Sequence, residues 1–170
     1  MIARTAAAAV SLAFAALLAG CSNYEKPTLA VSSARITQES SEGYVIDFTL
    51  DASNPNEFEV PLERVRYTLR LGNDHVFTGT RSAEATVRRL GTQQITLPAA
   101  IDLSKFNMPT GDVPYELSGS IVYVTPGEIA ELLFDAGVRR PKAGFRHRGV
   151  LDFESGTSTT VQTEDSEPTE

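Results

Sequence analysis

Alternation of apolar and polar residues over five segments constrains the fold of this chain more than any other feature of its sequence. In each segment every second residue is apolar or small, with His147 as the exception, a period of two that is typical of a strand with one face on a core. These positions are Tyr44, Ile46, Phe48, Leu50 and Ala52; Val65, Tyr67, Leu69 and Leu71; Ile95, Leu97, Ala99, Ile101 and Leu103; Tyr115, Leu117, Gly119, Ile121 and Tyr123; and Phe145, His147, Gly149, Leu151 and Phe153. Weaker strand candidates lie at 29–36, 75–80 and 84–89. We therefore predict a mainly β fold, an antiparallel β-sandwich of about seven strands.

Two turns between the predicted strands have a recognisable chemistry. Asn54, Pro55 and Asn56 follow the first alternating segment. The fixed φ of the proline, between two asparagines that can cap backbone groups, predicts that the strand ends there. Residues 72–74, Gly-Asn-Asp, join two strand candidates and predict a hairpin turn.

Residues 125–128 interrupt the β pattern. Their sequence, Thr-Pro-Gly-Glu, matches a capping box with proline at the first helical position, in which the threonine and glutamate side chains satisfy free backbone N–H groups. Gly137 suits the C-terminus of a helix. The apolar stripe between them is Ile129, Leu132, Leu133 and Ala136. We predict one short inserted helix that closes one end of the sandwich; the alternative is a helix that binds a partner.

The first 20 residues have the composition of an export signal. Arg4 is the one charged residue in this stretch, and an Ala- and Leu-rich run follows it. A short positive region before an apolar run and small residues is the pattern of a cleaved signal peptide. The run is too short, and too rich in weakly apolar alanine, for a comfortable membrane span.

Leu18, Ala19, Gly20 and Cys21 resemble the bacterial lipobox, in which a signal peptidase cleaves before the cysteine and the cysteine carries the lipid. The alternative is an ordinary signal peptide whose cleavage site happens to precede a cysteine. The chain has one Cys, which can make no internal disulfide, and a free thiol is a liability in an oxidising compartment. Lipidation of Cys21 removes that liability.

The lipobox resemblance implies a membrane anchor. Cys21 would carry a diacylglyceryl group and usually an amide-linked acyl chain such as palmitate. Each buried methylene contributes about 0.8 kcal/mol, so two or three acyl chains make the anchor effectively permanent. Ser22 is not the aspartate that retains lipoproteins in the inner membrane of enteric bacteria, so we expect the outer membrane, facing the periplasm. The predicted organisation is a signal peptide at 1–20, a lipidated linker at 21–27, a folded domain at 28–153 and a tail at 154–170.

The charge of the chain is unevenly distributed. The net charge of −7 argues against a nucleic-acid-binding protein whose affinity rests on Lys and Arg. Residues 154–170 hold five carboxylates and no Lys or Arg, and the rest of this segment is mostly Ser, Thr, Gly and Pro. Such a segment cannot bury enough apolar surface to fold, so we predict a disordered acidic tail.

No catalytic or metal-binding motif occurs in the sequence. The two histidines, His75 and His147, lie far apart, and the chain has no HxH, HExxH, CxxC, GxSxG or Gly-rich phosphate loop. We predict no catalytic residue, no metal site and no cofactor. The histidines are interpreted as structural, His75 at the edge of a turn and His147 partly buried.

A basic segment follows the predicted helix. It contains no Asp or Glu, and its cations are Arg139, Arg140, Lys142, Arg146 and Arg148. One interpretation is a solvated loop and the outer face of an edge strand, where charge discourages aggregation between sheets. The other is a patch for anionic lipid headgroups or an acidic partner.

The order of these segments resembles the late embryogenesis abundant (LEA) type 2 family, whose module is also called the WHy domain. The similarity covers about residues 28–153. The residues that carry it are Asn54, Pro55 and Asn56 after a strand, then 65–71 (Val-Arg-Tyr-Thr-Leu-Arg-Leu), 75–79, 91–98 and 115–119 (Tyr-Glu-Leu-Ser-Gly). The predicted helix looks like an insertion found in lipoprotein members.

The resemblance implies a compact β-sandwich of the fibronectin type III kind and a link to water stress and desiccation. It brings no catalytic residues, and Asn54, Pro55 and Asn56 are carried over as a structural turn motif. We expect a non-catalytic, lipid-anchored protein of the bacterial envelope that protects envelope proteins or the membrane under stress. The alternative is a scaffolding lipoprotein that docks an anionic lipid or a protein partner. The oligomeric state stays open.

Overall fold

The computed structural model describes residues 24–106, 111–153 and 157–160. The predicted signal peptide and Cys21 lie outside the described residues. Within these ranges eight strands and one helix follow each other along the chain. They are β1 Thr28–Glu39, β2 Gly43–Ser53, β3 Val60–Leu71, β4 Asp74–Val87, β5 Thr92–Asp102, β6 Asp112–Tyr123, α1 Glu128–Asp135, β7 Lys142–Asp152 and β8 Thr157–Thr160.

The strands pair antiparallel in two layers. Strands β4, β3, β6 and β7 form one layer, and β1, β2 and β5 form the other. Strand β8 pairs with β7 at 149–152 and meets β1 at one pair, Arg35 and Thr157, so the order runs continuously β4-β3-β6-β7-β8-β1-β2-β5. At the opposite edges, Nη1 of Arg81 in β4 donates a hydrogen bond to Thr96 O in β5 at 2.9 Å. The predicted antiparallel β-sandwich with one short helix is confirmed.

Side chains from both layers fill the core. The five alternating segments lie in β2, β3, β5, β6 and β7, and their apolar side chains point inward because successive residues of a strand face opposite sides. Phe48 of β2 packs on Tyr115 of β6 across the layers, with ring centroids 5.5 Å apart. The largest fully buried side chains are Phe48, Ile46, Leu50, Leu69, Leu71, Leu97, Ile101, Leu117, Ile121, Leu151, Val60 and Val65.

Strand β4 joins two segments that the sequence suggested as separate strands. The register with β3 shifts between Leu62, which pairs with Ala85, and Arg64, which pairs with Ser82. Glu84 has a φ of +46° at this irregularity. A bulge of this kind changes which face successive side chains occupy, so the alternation breaks although the strand continues.

Helix α1 differs from its prediction in two respects. Its N-cap is Gly127 with a φ of +112°, and no side chain caps it by a hydrogen bond, so the predicted capping box at 125–128 is wrong. The chain turns at Gly127, in a conformation that favours glycine, and the helix begins after the Thr-Pro pair. In addition, no residue of α1 is buried. The predicted role of closing one end of the sandwich is therefore wrong.

Both boundaries of the predicted domain are extended in the structure. Strand β8 lies within the segment predicted to be a disordered tail, because the backbone of four Ser and Thr residues pairs with β7. At the other end, Pro27 is buried and Tyr24 packs on Phe58, so 24–27 belong to the folded body rather than to a free linker. The tail residues 161–170 lie outside the described residues.

The sandwich has two ends, which we name by where the described chain begins. The proximal end consists of 24–27, 54–59, 88–91 and 124–141, including α1. The distal end consists of the turns at 40–42 and 72–73, residues 103–106 and 111 and the start of the β7–β8 connection. In the part of the chain that the structure describes, no helix has the length and apolarity to cross a membrane.

Candidate functional site

Asn54 organises the proximal end through its buried side chain. Its Nδ2 group donates hydrogen bonds to the backbone oxygens of Phe58 at 2.6 Å and Arg88 at 3.1 Å. Its Oδ1 atom accepts hydrogen bonds from the backbone N–H of Asn56 at 3.0 Å and from Asn56 Nδ2 at 2.8 Å. The backbone N–H of Asn54 donates to Gly91 O at 2.9 Å. The turn after β2 is thus joined to the turn between β4 and β5.

Asn56 extends this network to the N-terminal segment. Its Nδ2 donates to Glu25 O at 2.7 Å, and its Oδ1 accepts from the N–H of Glu25 at 2.9 Å. Next to this pair, the ring of Tyr24 stacks on Phe58 and on Tyr123, with centroids 5.8 and 6.0 Å apart. Burial raises the pKa of the Tyr24 phenol, and the nearby Tyr123 adds to this effect. The chain is therefore held at the proximal end three residues after Cys21.

The basic segment is divided between a loop and a strand. Arg139 and Arg140 lie in the loop after α1, while Lys142, Arg146 and Arg148 occupy exposed alternate positions of β7. Strand β7 pairs with β6 over 142–152, whereas among the described residues β8 pairs with it only over 149–152, so the run that carries the cations has β6 as its paired neighbour. The short run of β7 that pairs with β8, at 149–152, follows these cations.

A carboxylate of the neighbouring strand holds two of these cations. Glu116 of β6 accepts a hydrogen bond from Nε of Arg148 at 2.9 Å and lies 3.7 Å from Nε of Arg146. Both arginine side chains are more than half exposed to solvent. Each ion pair therefore contributes at most about 1 kcal/mol to the stability of the fold. Glu116 therefore orients the two guanidinium groups more than it stabilises the fold.

The strand register brings further arginines to the same surface. Arg70 of β3 pairs with Glu116, which pairs with Arg148, and Arg66 pairs with Ser120. We call this surface the basic face, and it consists of Arg64, Arg66, Arg70, Lys142, Arg146 and Arg148. Proximity in sequence identifies the cations of 139–148 and misses those of β3. The polar positions of the second alternating segment are rich in arginine, and this pattern could have indicated the cations of β3.

A groove of about 400 Å³ separates α1 from the basic face. Phe134 of α1 and Val122 of β6 form its apolar part, and Arg64 and Arg81 lie at its polar part together with Glu63. The guanidinium of Arg140 lies over the Phe134 ring, 5.6 Å from its centroid, a cation–π contact that holds the loop after α1 against the helix.

The two histidines lie on different strands. His147 is buried in β7, with its ring 5.8 Å from that of Tyr115. Burial lowers the pKa of its imidazole, so the ring is neutral at pH 7 and serves as a core residue. His75 lies in β4 opposite Arg70. Among the described residues no group of three or more His, Cys, Asp or Glu side chains could hold a metal ion.

The family comparison gives a match over most of the folded chain. The model of the LEA_2 family, described as late embryogenesis abundant protein, matches residues 49–162. The chain belongs to this family. The match includes Asn54, Pro55 and Asn56, α1 and the whole basic face of this LEA protein, whereas Cys21 lies upstream of it.

Solved structures share the fold of this LEA protein at low sequence identity. The solution structure of an Arabidopsis thaliana protein has a TM-score of 0.59 and 11% identity, and the match covers 78% of this chain and 87% of that one. A solution structure described provisionally as an LEA protein has a TM-score of 0.60 and 15% identity, with 89% and 84% covered. No curated protein matches the sequence.

The family supports a stress-related role for this LEA protein. Proteins of the LEA_2 family are generally non-enzymatic, in agreement with a chain that carries no catalytic motif in its sequence. The cross-layer aromatic contact and the buried Asn54 network are features of a packed domain.

Proposed function

We propose that this LEA protein is a lipid-anchored, non-catalytic protein of the bacterial envelope that protects envelope proteins or the membrane during drying. The observation that carries the proposal is a folded body described from Tyr24, three residues after a lipobox-like sequence at 18–21, whose residues 49–162 match the LEA_2 family. The expected compartment is the outer membrane, facing the periplasm, because Ser22 follows the cysteine.

The geometry of the N-terminal segment supports an anchored body. Tyr24 and Glu25 are held by Phe58, Tyr123 and Asn56 at the proximal end. Three residues of extended chain span at most about 10 Å, so a lipid on Cys21 would keep the proximal end close to the membrane surface. Such a short connection would keep the folded body next to the membrane surface, where both lipids and membrane proteins are within reach.

The anchor is tested by labelling cells with a radioactive fatty acid. We expect label in the wild-type protein and in a Ser22→Ala control, and loss of label in Cys21→Ser, because thioether attachment requires the cysteine sulfur. Equal label in Cys21→Ser and wild type would contradict lipidation at this residue. Separation of inner and outer membranes then shows which of them carries the labelled protein.

Protection is tested with a soluble chain that begins at Ser22. The core residues lie between Val31 and Leu151, so this truncation removes none of them. We expect a test enzyme to retain more activity after drying with this chain than with an equal mass of serum albumin. The reason is that the surface of a folded LEA domain would take the place of the water that contacts the enzyme before drying. Activity equal to that in albumin would contradict a protective role.

A second candidate function, docking of an anionic envelope partner, is favoured by the basic face. Here six cations share a single sheet surface, and Glu116 forms ion pairs with two of them, Arg146 and Arg148. On a heparin column, used as a polyanion probe, we expect Arg66→Glu combined with Arg146→Glu to elute at lower salt than wild type. Glu116→Gln should elute at higher salt, because it removes a competing negative charge. Equal elution of all three proteins would exclude the face as an anion-binding surface.

A further inference from the structure

Four large aliphatic side chains are exposed within the described residues, and all of them lie at the proximal end. The exposed fractions are 68% for Leu90, 76% for Ile129, 68% for Leu132 and 73% for Val138. Leu90 lies in the turn between β4 and β5, and the other three lie on α1 and directly after it. Single exposed aliphatic residues are ordinary, but a set confined to one end of a sandwich marks an interaction surface.

The turn that carries Leu90 is held in place by the asparagine network. The N–H of Leu90 donates to Asn56 O at 2.9 Å, and Leu90 has a φ of +49°. A branched aliphatic residue is uncommon in this region of φ, and glycine would adopt it without strain. The chain thus presents a leucine to solvent at a position where its own backbone conformation disfavours one.

Arginine pairs flank two of the aliphatic residues. Arg88 and Arg89 precede Leu90, and Arg139 and Arg140 follow Val138. An aliphatic side chain beside cations is the composition of a segment that lies in the headgroup layer of a bilayer, where the aliphatic part enters and the guanidinium groups meet phosphate oxygens. The same arrangement occurs twice at the proximal end, in turns that are far apart in sequence.

The carboxylates of α1 border its exposed aliphatic residues. Glu128, Glu131 and Asp135 recur at spacings of three and four residues, which places them along one side. Leu132 follows Glu128 by four residues and precedes Asp135 by three, so it lies at the edge of this stripe, and Ile129 lies beyond it. A surface that covers Ile129 and Leu132 therefore has Glu128 and Asp135 at its border.

The distal end is the more acidic of the two. Its turns and the strand residues beside them carry Glu39, Glu42, Asp74, Asp102 and Asp112 against Lys105, which forms an ion pair with Asp102 at 2.9 Å. The proximal end is close to balanced, with the cations Lys26, Arg88, Arg89, Arg139 and Arg140 against the carboxylates Glu25, Glu57, Glu59, Glu128, Glu131 and Asp135. An anionic membrane surface therefore repels the distal end more strongly than the proximal end.

We propose that the proximal end docks on the lipid bilayer, with Leu90, Ile129, Leu132 and Val138 in the headgroup layer and Arg88, Arg89, Arg139 and Arg140 on lipid phosphates. The proposal rests on the proposed lipid anchor for its tether, because the chain reaches Cys21 from this same end. The anchor holds the protein at the membrane. Docking of the proximal end then orients the sandwich so that its distal end points away from the bilayer. The basic face then stands to the side, open to partners.

Two properties of the sequence make the test specific. The chain has one Cys and no Trp. A chain that begins at Cys21 can be coupled through this thiol to a maleimide lipid, and an indole introduced by Leu132→Trp is its single tryptophan fluorophore. Ser41→Trp, at an exposed position of the distal end, is the matched control.

On phosphatidylethanolamine–phosphatidylglycerol vesicles with brominated acyl chains, we expect strong quenching and a blue shift for Leu132→Trp and neither for Ser41→Trp. Adding Arg139→Glu and Arg140→Glu to Leu132→Trp should reduce the quenching. Equal quenching at both positions, or none at position 132, would overturn docking through the proximal end. Concentration-dependent dimerisation of the uncoupled chain that Leu132→Trp abolishes would instead assign this surface to a second copy.

The chemical tether separates this proposal from the proposed function. Coupling through maleimide requires no cellular lipidation, so quenching at position 132 can be observed even where fatty-acid labelling fails. Conversely, a labelled protein whose introduced indole is not quenched would be anchored without docking.

Discussion

Phe48→Ala should lower the free energy of unfolding by about 4 kcal/mol, the largest effect that we expect from a single substitution in this protein. Phe48 is fully buried in β2, and its ring packs on Tyr115 of β6 at a centroid distance of 5.5 Å. The contact joins the two layers. Truncation to alanine removes apolar surface and leaves a cavity that neighbouring strands cannot fill without moving.

The surroundings of Tyr115 explain why this site cannot collapse easily. The Tyr115 ring lies close to Gly149 of β7. A Cβ atom on residue 149 would be 2.7 Å from a carbon of this ring. The rings of Phe48 and His147 also pack on the Tyr115 ring, with centroids 5.5 and 5.8 Å away. Burial raises the pKa of the Tyr115 phenol to about 12, so it stays protonated across the whole range in which stability is measured. The ring has few ways to shift toward a cavity at Phe48.

Urea unfolding followed by circular dichroism measures the effect. Leu132→Ala is the control, since it removes an exposed leucine and should change the free energy of unfolding by less than about 0.5 kcal/mol. Phe48→Leu retains most of the apolar volume and should cost less than about 2 kcal/mol, which keeps the test informative if Phe48→Ala does not fold. If Phe48→Ala and Leu132→Ala unfolded at the same urea concentration, the cross-layer contact would not stabilise the sandwich.

Asn54→Ala should lower the free energy of unfolding by about 3 kcal/mol, although it removes only a small polar side chain. Asn54 is 2% exposed. Its loss leaves the backbone oxygens of Phe58 and Arg88 without their Nδ2 donor and the amide of Asn56 without its Oδ1 acceptor. Buried polar groups that lose a partner retain their cost of desolvation, which is why the effect exceeds that of an average hydrogen bond.

Two further variants separate the polar network from general damage to a turn. Asn54→Asp keeps an acceptor oxygen but loses the donor and places negative charge beside two carbonyl oxygens, so it should destabilise about as much as alanine. Asn73→Ala, in the exposed turn between β3 and β4, should change the free energy by less than about 0.5 kcal/mol. Equal unfolding midpoints for Asn54→Ala, Asn73→Ala and wild type would show that the network contributes nothing to stability.

Prediction of the strands succeeded where one face of a strand meets the core. Ile46, Leu69 and Leu117 are buried at the positions that alternation assigned to the inner face. Prediction failed at Glu84, where a bulge breaks the alternation inside β4, and at Gly127, where a turn replaces the expected cap. In both places the backbone conformation depends on the neighbouring segment as well as on the local residues.

Prediction of the candidate site was limited to residues that are neighbours in sequence. Arg146 and Arg148 belong to one basic segment of the sequence, whereas Arg66 and Arg70 alternate with the apolar residues of another segment. The partner of Arg148 is Glu116, 32 residues away, and only the pairing of β6 with β7 brings the two together.

Residue types at short spacing are enough to predict the fold class, the residues of the inner faces and the candidate anchor at Cys21. The tertiary structure, by contrast, creates the surfaces. It placed Arg70, Glu116 and Arg148 in one row, and it brought Leu90 to the same end of the sandwich as α1 and the first described residues. Strand pairing and loop packing join segments that are distant along the chain, and no local pattern specifies those partners in advance.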